Sequence, residues 1–362
     1  MQTDPADEMA STGRPLQVVV VCPTFGGYGG MEAFTLALLR QLRPLAGLDV
    51  RVCFKRTRGF ALRPGLAEAV RPEGGRVEFV DRASRALWRA LRAADVVHAQ
   101  NASPDVVLAA RLLRRPLLVH LHNRRLPGHS PGLILWDFCV RQADARFYVS
   151  EFVRRTWEGG APGRRSRVVH SVSELPVGER PPAQRRGFVF AARWIENKGL
   201  EVLVDAYAQA GLDPGRSPLC LLGDGPLRTR VLHRIAALGV RGIAAPGFVA
   251  PADKAEAIRS ARWMVVPPHT HEDFGLTAIE ARAVGVPCIA TRDGGVPEAA
   301  GAEALLCEPR DVPGLAACLR RAEAMSEAEY AARSRRTRET LAAQLVGPEF
   351  YAAAYRGLAR TS

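Results

Sequence analysis

Long apolar runs are missing from this chain of 362 residues. No run reaches the ~18 residues that a membrane-spanning helix needs. Residues 1–15 are polar and lack a basic start followed by an apolar core, so we predict a disordered tail there rather than a secretory signal. The remaining length suits two domains, and these absences together predict a cytoplasmic protein.

Closely spaced cysteine pairs are missing as well. The seven cysteines are odd in number and scattered, and none forms a Cys-x-x-Cys pair: Cys22, Cys53, Cys139, Cys220, Cys288, Cys307 and Cys318. This pattern argues against a disulfide framework. Because most of these residues lie in apolar runs, we expect reduced side chains within the core.

Lysine is scarce in an otherwise basic chain. Only Lys55, Lys198 and Lys254 stand among 50 basic residues, and the net charge is +13. Residues 1–180 carry 27 basic and 17 acidic residues, a net of +10, whereas residues 181–362 carry 23 and 20, a net of +3. The sequence lacks a helix-turn-helix signal, a zinc knuckle and basic–aromatic alternation, so we expect no nucleic acid partner. An anionic acceptor or an anionic membrane surface fits the basic half better, and an arginine-rich composition without such a partner is the alternative.

The first half alternates strands and helices, which predicts a doubly wound α/β sheet. The apolar run Gln17–Cys22 predicts a buried parallel strand, the loop after it contains Gly29 and Gly30, and residues 31–42 predict a helix. This arrangement suits a phosphate, but its spacing fits neither the dinucleotide fingerprint nor the P-loop. A flexible turn is the alternative interpretation.

Histidines lie near the ends of two strands in the first half. His98 and His122 are predicted near the carboxyl ends, where an α/β sheet of this kind binds its ligands. His120 alternates to the same face as His122. A lone histidine at a strand end is more often a structural hydrogen-bonding residue, so both roles stay open for these side chains.

A proline-rich and charged stretch, residues 177–186, is predicted as a linker before the same alternation resumes. After the next strand, Arg193 and Lys198 flank a loop that precedes a predicted helix over residues 200–210. Two cations at the carboxyl end of a strand suit a diphosphate, whose growing negative charge they would stabilise. A solvated loop in which Glu196 pairs with these cations is the alternative.

Residues 263–287 carry the strongest functional signal. The first residues form an apolar run that predicts a buried strand, and the last three, Gly285-Val286-Pro287, predict the end of a helix. Glu272 is therefore predicted on the loop between strand and helix. Glu280 is predicted about two turns inside the helix.

The start of that helix suits an anion. Phe274, Gly275 and Leu276 lie where free backbone N–H groups and the helix dipole favour negative charge, and Gly275 has no side chain to keep a phosphate away. Glu272 on the loop and Glu280 within the helix fit a ligand with phosphates in the middle and hydroxyls at both ends, such as a nucleotide sugar. Two glutamates eight residues apart also occur by chance, so a structural role is the alternative.

The pattern around these glutamates resembles a known family. Phe-Gly-Leu follows Glu272 closely, Ala-Val-Gly-Val-Pro follows Glu280, and a Gly-Gly-x-Pro-Glu turn occupies residues 294–298. Together these motifs resemble the retaining glycosyltransferases of family 4, and the resemblance covers roughly residues 16–358. The chain departs from the family at His170-Ser171-Val172-Ser173, where relatives usually show Asn-Gly-Val-Asp.

The resemblance implies a GT-B fold, in which two Rossmann-like, doubly wound parallel-sheet domains face each other across a cleft. It implies an N-terminal acceptor domain over residues 16–176, a C-terminal nucleotide-sugar domain over residues 187–345, and a final helix within residues 346–362 that crosses back to the first domain. The implied reaction moves a sugar from a nucleoside-diphosphate sugar to a hydroxyl of a glycolipid, a polysaccharide precursor or a small molecule, with retention of configuration. Peripheral association with the inner membrane face accompanies the membrane-attached version of the acceptor.

The resemblance also implies roles for individual residues. The predicted catalytic residues are Glu272, His122, Arg193 and Lys198, and His122 matches a histidine that contacts the transferred sugar. The predicted donor-binding residues are Gly29, Gly30, Arg193, Lys198, Val249, Glu272, Phe274, Gly275, Leu276 and Glu280. No cofactor or metal is expected, because fixed cations and dipoles can stabilise the leaving group.

A metal-dependent hydrolase is an alternative from another class. His120-x-His122 and His269-x-His271 follow predicted strands, with Glu272 beside the second pair, and such pairs can bind zinc. The two pairs lie in different predicted domains, and a carboxylate as third ligand is not obvious. A catalytically silent binder of sugar nucleotides is a third interpretation, for which the sequence offers little because the predicted functional residues are all present.

Overall fold

A computed structural model describes residues 14–170, 178 and 180–360. Most of the predicted tail, and residues 177 and 179 of the predicted linker, lie outside the described residues. The described chain forms two compact units, one with residues 14–148, 162–167 and 346–360, and one with residues 149–161 and 168–345. Each unit is built around one parallel sheet, which confirms the predicted pair of Rossmann-like α/β domains.

The first sheet contains seven strands. They are β1 (Leu16–Thr24), β2 (Leu48–Arg56), β3 (Val77–Val80), β4 (Val96–Gln100), β5 (Leu117–Leu121), β6 (Ala145–Tyr148) and β7 (Ser166–Val168). The strands lie in the order 3-2-1-4-5-6-7, and neighbours among β1 to β6 pair in parallel. Residues Val18 to Cys22 of the central strand β1 are buried, as expected for a continuous apolar run in a parallel sheet.

The second sheet contains six strands. They are β8 (Arg186–Ala191), β9 (Leu219–Leu222), β10 (Ile243–Gly247), β11 (Ala261–Val266), β12 (Cys288–Thr291) and β13 (Leu305–Cys307). Their order is 10-9-8-11-12-13 and every neighbouring pair is parallel. The two sheets therefore share one topology, apart from the additional edge strand β7.

The α-helices of the described chain lie on the strand connections and at its end. They are α1 (Gly30–Leu42), α2 (Pro64–Val70), α3 (Arg85–Ala93), α4 (Pro104–Leu112), α5 (Pro131–Arg141), α6 (Glu151–Glu158), α7 (Leu200–Ala210), α8 (Arg228–Ala237), α9 (Pro251–Ser260), α10 (Leu276–Ala283), α11 (Val296–Ala300), α12 (Val312–Ala324), α13 (Glu327–Gln344) and α14 (Pro348–Ala359). Among the residues with a described structure, none of these helices has both the length and the apolar composition needed to cross a membrane.

Each sheet reverses its strand order once. The reversal lies between β1 and β4 in the first unit and between β8 and β11 in the second. At such a switch point the loops after the two central strands leave towards opposite sides and open a crevice at the carboxyl edge of the sheet. In the second unit these two loops carry Arg193, Lys198 and Glu272.

Glycines allow the loops at this edge of the second sheet to pack backbone against backbone. A Cβ atom added to Gly199 would lie 1.8 Å from the carbonyl oxygen of Pro267, and one added to Gly294 would lie 2.0 Å from that of Glu272. Both glycines also have positive φ, +68° and +53°. Any side chain at either position would push the loops apart, so both the packing and the backbone conformation require glycine.

The segment 149–161 belongs to the second unit, whereas the sequence placed it in the N-terminal domain. The hydroxyl of Ser150, just before α6, donates to the carbonyl oxygen of Asp273 at 2.7 Å. The Glu298 carboxylate accepts hydrogen bonds from the first two N–H groups of α6, at 2.6 and 2.9 Å. These bonds join residues more than 100 positions apart, so composition near residue 176 carried no sign of them.

Two local predictions differ from the structure, and one helix was not predicted. His98 is the third residue of β4 rather than a strand-end residue, and it is fully buried. Glu280 is the fifth residue of α10, little more than one turn from its start. The sequence analysis also missed helix α5, although Ser130 caps it and Pro131 opens it.

Candidate active site

A lysine–glutamate ion pair spans the switch point of the second sheet. Lys198 lies in a short 3-10 turn after β8, and Glu272 lies in the loop between β11 and α10. The Nζ atom of Lys198 donates to Oε2 of Glu272, and both side chains are half-buried. The N–H of His269 donates to the carbonyl oxygen of Asn197 at 3.1 Å and ties the two loops together. The structure thus brings together two residues that the sequence predicted for one site.

Arg193, the second predicted cation, follows β8 and is exposed. Throughout the described part of the chain, no carboxylate forms an ion pair with its guanidinium group. Glu196, the partner considered in the sequence, pairs instead with Arg230 at 2.7 Å. The charge of Arg193 is therefore available to an anionic ligand at the same edge of the sheet.

Asp293 fixes the backbone that carries Glu272. Its Oδ1 atom accepts from the N–H of His271 at 2.8 Å, and its Oδ2 atom accepts from the N–H of Glu272 at 2.7 Å. The N–H of Gly295 closes the turn on the carbonyl oxygen of Glu272 at 2.8 Å. His271 has φ +54°, a left-handed conformation that non-glycine residues adopt at a cost of about 1–2 kcal/mol. Sequence reasoning missed this role of Asp293, for which the Asp-Gly-Gly turn after β12 is the available signal.

The start of α10 offers unused backbone donors. No acceptor on a described residue binds the N–H groups of Phe274, Gly275 or Leu276. Gly275 precedes the helix with φ +106°, and an added Cβ would meet side chains only at 3.7 Å or more. The position therefore requires glycine for its backbone conformation rather than for space. Phe274 is buried, and its ring stacks on that of His170 with centroids 4.9 Å apart, so the departure at His170 packs beside the predicted anion site.

Glu280 has a basic partner that the sequence analysis missed. Its Oε1 atom accepts from Nζ of Lys254 on α9 at 2.8 Å, and the glutamate side chain is buried. Lys55, the remaining lysine, pairs with Asp105 at 2.6 Å in the first unit. Each of the three lysines is therefore in an ion pair, and the scarcity of lysine was the signal that could have identified Lys254.

Val249, a predicted donor-binding residue, lies at the same edge of the second sheet. Val249 follows β10, the edge strand, and is half-buried. Phe248 beside it is 81% exposed. An exposed aromatic ring at a strand end offers a face on which a planar base can stack. This feature was not part of the sequence prediction.

In the first unit, Gly29 and Gly30 form the exposed start of α1. The buried Glu32 accepts from the N–H of Gly29 at 3.2 Å and from the hydroxyl of Thr24 at 2.7 Å. The last residue of β1 is thereby connected to the first turn of α1. The glycine loop is anchored at both ends and is not a freely flexible turn.

A hydrogen-bonded chain supports His122 within the first unit. Its Nε2 atom lies 2.5 Å from Oε1 of Gln100, so Nε2 is the donor. The amide nitrogen of Gln100 lies 3.3 Å from Nε2 of His98, which must accept. His98 therefore carries its proton on Nδ1 and donates to the hydroxyl of Tyr355 on α14 at 2.8 Å. The network assigns the tautomer of both rings, and sequence reasoning missed Gln100 and Tyr355 because they lie on different elements.

The rings of His98 and His122 are neutral at physiological pH. Burial lowers the pKa of His122 to about 3, and burial with the neighbouring His120 lowers the pKa of His98 well below its usual value. His120 stacks on His122 with ring centroids 4.6 Å apart. Of the three residues, His98 and His120 are fully buried and His122 is half-buried, so His122 is the one that keeps some exposed surface just after β5.

The metal-dependent alternative lacks a ligand set. Within residues 14–170 and 180–360, no three His, Cys, Asp or Glu side chains are placed to hold one metal ion. The ring of His271 stacks on Phe152 with centroids 6.1 Å apart, and His120 lies in the stack of rings described above. His120 and His271 therefore have ring-stacking partners where the hydrolase alternative expects metal ligands.

Two family profiles match the chain. One, described as Glycosyltransferase Family 4, matches residues 28–172, and the other, described as Glycosyl transferases group 1, matches residues 185–324. The chain belongs to the family 4 (group 1) glycosyltransferases. The family predicted from the motifs around Glu272 and Glu280 is thereby confirmed.

Several curated proteins are similar to this family 4 chain over part of their length. The N-acetyl-α-D-glucosaminyl L-malate synthase of Bacillus anthracis is 26% identical over 244 residues, which are 61% of this chain and 63% of that protein. The D-rhamnosyltransferase WbpZ of Pseudomonas aeruginosa is 34% identical over 214 residues, 55% of this chain and 52% of that protein. The chain therefore spans less than two thirds of the length of the curated relatives it matches first.

Solved structures match nearly the whole chain. HepE of Anabaena in complex with UDP has a TM-score of 0.76 at 17% identity, covering 96% of this chain and 98% of that one. A glycosyltransferase of Rickettsia africae has a TM-score of 0.77 at 16% identity, covering 96% of this chain and 100% of that one. At these identities the similarity concerns the fold, and it confirms the predicted GT-B fold of this family 4 member.

Proposed function

We propose that this protein is a glycosyltransferase that moves a sugar from a nucleoside-diphosphate sugar to an acceptor hydroxyl with retention of the anomeric configuration. The observation that carries the proposal is the ion pair between Lys198 and Glu272 at the switch point of the second sheet. Beside it lie the unused N–H groups at residues 274–276. Cations and backbone donors at one crevice suit a diphosphate, and an adjacent carboxylate suits sugar hydroxyls.

Donor binding in this proposal rearranges the ion pair. The diphosphate takes Lys198 and Arg193 as partners, because two phosphate groups carry more negative charge than one carboxylate. Glu272 then accepts hydrogen bonds from hydroxyls of the donor sugar. Fixed cations and the N–H groups of α10 stabilise the diphosphate as its bond to the sugar breaks, so no metal is needed for this step.

The remaining predicted residues receive roles at the ends of the donor. Glu280 accepts hydrogen bonds from the ribose hydroxyls, and Lys254 holds its carboxylate in place. Val249 lies against the base. In the N-terminal unit, the roles that the resemblance implies for Gly29, Gly30 and His122 stay predictions. Because structures of this fold were solved with UDP and with UDP-glucose, UDP-sugars are the first donors to test.

Variants of the ion pair test the proposal directly. Lys198→Ala and Glu272→Ala should each lower transfer or donor hydrolysis on the order of 10²-fold, the loss expected for one electrostatic contact in a site closed to water. Arg230→Ala is the matched control, since this cation also pairs with glutamates but lies on α8. It should stay within about twofold of the wild type. Near-normal turnover in both site variants would reject the site.

The donor and the stereochemistry need separate measurements. A screen of UDP-, GDP-, ADP- and dTDP-sugars for hydrolysis identifies the base. Proton NMR of the product, recorded before any mutarotation, reports the configuration at the anomeric carbon. An inverted product would reject retention while leaving the donor site intact, and full activity after chelation would support the metal-free step.

A further inference from the structure

Helix α5 exposes apolar side chains that a packed helix would bury. Seven of its eleven residues are apolar, but only Cys139 and Val140 are buried. Ile134, Leu135 and Phe138 are 56%, 43% and 48% exposed, and their spacing puts them on one face of the helix. Scattered single exposures are ordinary in soluble proteins, whereas a shared face points to a partner.

The same part of the chain concentrates further exposed apolar groups. Of the thirteen large apolar side chains exposed among the described residues, six lie between positions 108 and 138. Beyond α5 they are Leu126, in the loop before this helix, and Leu108 and Leu112 on α4, which packs beside α5. We name the face of Ile134, Leu135 and Phe138 the α5 face.

Positive charge accompanies the α5 face. Residues 104–144 contain six arginines and three aspartates. Asp137 is the acid on α5, and Arg125 engages both of its oxygens at 2.8 Å. The other two aspartates are paired with Lys55 and Arg111. Arg114 and Arg141 form no direct ion pair in the described chain, although the charge of Arg141 contributes to the lowered pKa of Asp137. The region therefore presents apolar side chains within an excess of positive charge.

We propose that the α5 face docks on an anionic lipid bilayer. The helix of eleven residues is about 16 Å long, too short to span a bilayer, so it lies in the interface with its apolar side chains among the acyl chains. Arg114 and Arg141 contact the lipid headgroups. Long arginine side chains suit this position, because their apolar stems can lie at the depth of the acyl chains while the guanidinium groups reach the headgroups.

The charges favour a membrane over a second copy of the chain. A two-fold dimer through the α5 face would bring the same arginines of both copies together. One helical face is also small compared with the ~800 Å² per partner of a stable interface. An anionic lipid surface attracts these arginines instead of repelling them. It also adapts to the shape of the helix, so no complementary protein surface is needed.

Docking has a consequence for the acceptor, and this consequence alone rests on the proposed function. His122 directly follows β5, and residues 123–130 lead from it into α5. A bilayer on the α5 face therefore lies near the carboxyl edge of the first sheet, where His122 lies. The acceptor class that fits this placement is a hydroxyl carried by a membrane lipid.

Vesicle co-sedimentation of the full chain tests the docking. Wild-type protein should bind vesicles of 30% phosphatidylglycerol in phosphatidylcholine at 50 mM NaCl at least 10-fold more tightly than pure phosphatidylcholine vesicles. Ile134→Ser/Phe138→Ser should weaken this binding at least 10-fold. The matched control Leu232→Ser/Leu238→Ser, which alters two side chains 37% and 44% exposed at α8, should change it by less than twofold. Arg114→Gln/Arg141→Gln should weaken binding and reduce its salt dependence.

Three outcomes would overturn the docking. They are no wild-type binding to the anionic vesicles, equal loss in the control, and binding that survives Ile134→Ser/Phe138→Ser in a folded protein. A lipid-free dimer that this variant dissociates, seen by light scattering, would assign the α5 face to protein contact instead. Donor hydrolysis without vesicles should be unchanged in Ile134→Ser/Phe138→Ser, so failure of docking and failure of the proposed transfer reaction are separable.

Discussion

The substitution Gly294→Ala tests whether the position of Glu272 controls sugar transfer. The added Cβ would lie 2.0 Å from the carbonyl oxygen of Glu272, whereas relaxed contacts need about 3.5 Å, so the two loops must separate by roughly 1.5 Å. A displacement of about 1 Å in a reacting group costs on the order of 10²-fold in rate. We therefore expect transfer or donor hydrolysis to fall by at least that factor in initial-rate assays.

The same substitution has a stability cost that a control can separate. The left-handed conformation costs about 1–2 kcal/mol with a side chain, and overpacking adds about 1–3 kcal/mol. Gly211→Ala, at the end of α7, shares the positive φ of +63° but meets nothing within 4 Å. In urea unfolding, Gly211→Ala should lower the free energy of unfolding only by the cost of the left-handed conformation. Its transfer rate should stay within about twofold of the wild type. Full activity in folded Gly294→Ala would refute the reasoning.

Three further predictions concern stability. Lys55→Met leaves the carboxylate of Asp105 without its cation and should lower the free energy of unfolding by about 3–5 kcal/mol in urea titrations. Lys55→Met/Asp105→Leu should recover most of the lost stability. Additive effects of the two substitutions would contradict the pairing. Because burial lowers the pKa of His98 and His122, the unfolded state binds more protons than the folded state below about pH 6.5. The free energy of unfolding should therefore decrease as the pH is lowered. His122, with its pKa near 3, accounts for about 2 kcal/mol of that fall between pH 7 and pH 5, and His122→Asn should flatten the profile. Glu298→Gln weakens the cap of α6 and should cost about 1–2 kcal/mol, with faster amide exchange in its first turn; unchanged exchange would count against the cap.

The fold was accessible from the sequence because its signals are local. The run Gln17–Cys22 predicts a strand buried on both faces without reference to any partner, and β1 is such a strand. The helix over residues 200–210 coincides with α7, which begins after Gly199 and ends before Gly211. The exception is α5, which exposes three of its apolar side chains, so its sequence lacks the separation of apolar and polar faces that normally indicates a surface helix.

The candidate site was only half accessible. Glu272, Glu280 and the residues at the start of α10 were predicted from spacing, since a loop and the helix after it are fixed by local geometry. Their partners were not: Lys254 lies 26 residues before Glu280, and Asp293 lies 21 residues after Glu272. Nothing in the distance along the chain indicates that such side chains meet.

The histidines show the same limit from the opposite side. Alternation predicted that His120 and His122 share a face, and their rings stack. Alternation gave no reason to expect that Gln100 and Tyr355 would fix the tautomers of His122 and His98. His98 and Tyr355, for example, are 257 positions apart in the sequence. Burial, which lowers the pKa of His122 and keeps its ring neutral, is likewise a property of the packed unit.

The sequence by itself determined the alternation of strands and helices, the glycines at the strand ends and the family of this protein, because periodicity and steric demands act between neighbouring residues. The tertiary structure alone decided that Lys198 meets Glu272, that Asp293 holds the loop carrying Glu272, and that α5 exposes the face of Ile134, Leu135 and Phe138. Those contacts join elements that are distant in the sequence. Their position depends on how the connections between parallel strands place each strand in the sheet, and they contribute energy only once the sheet has assembled.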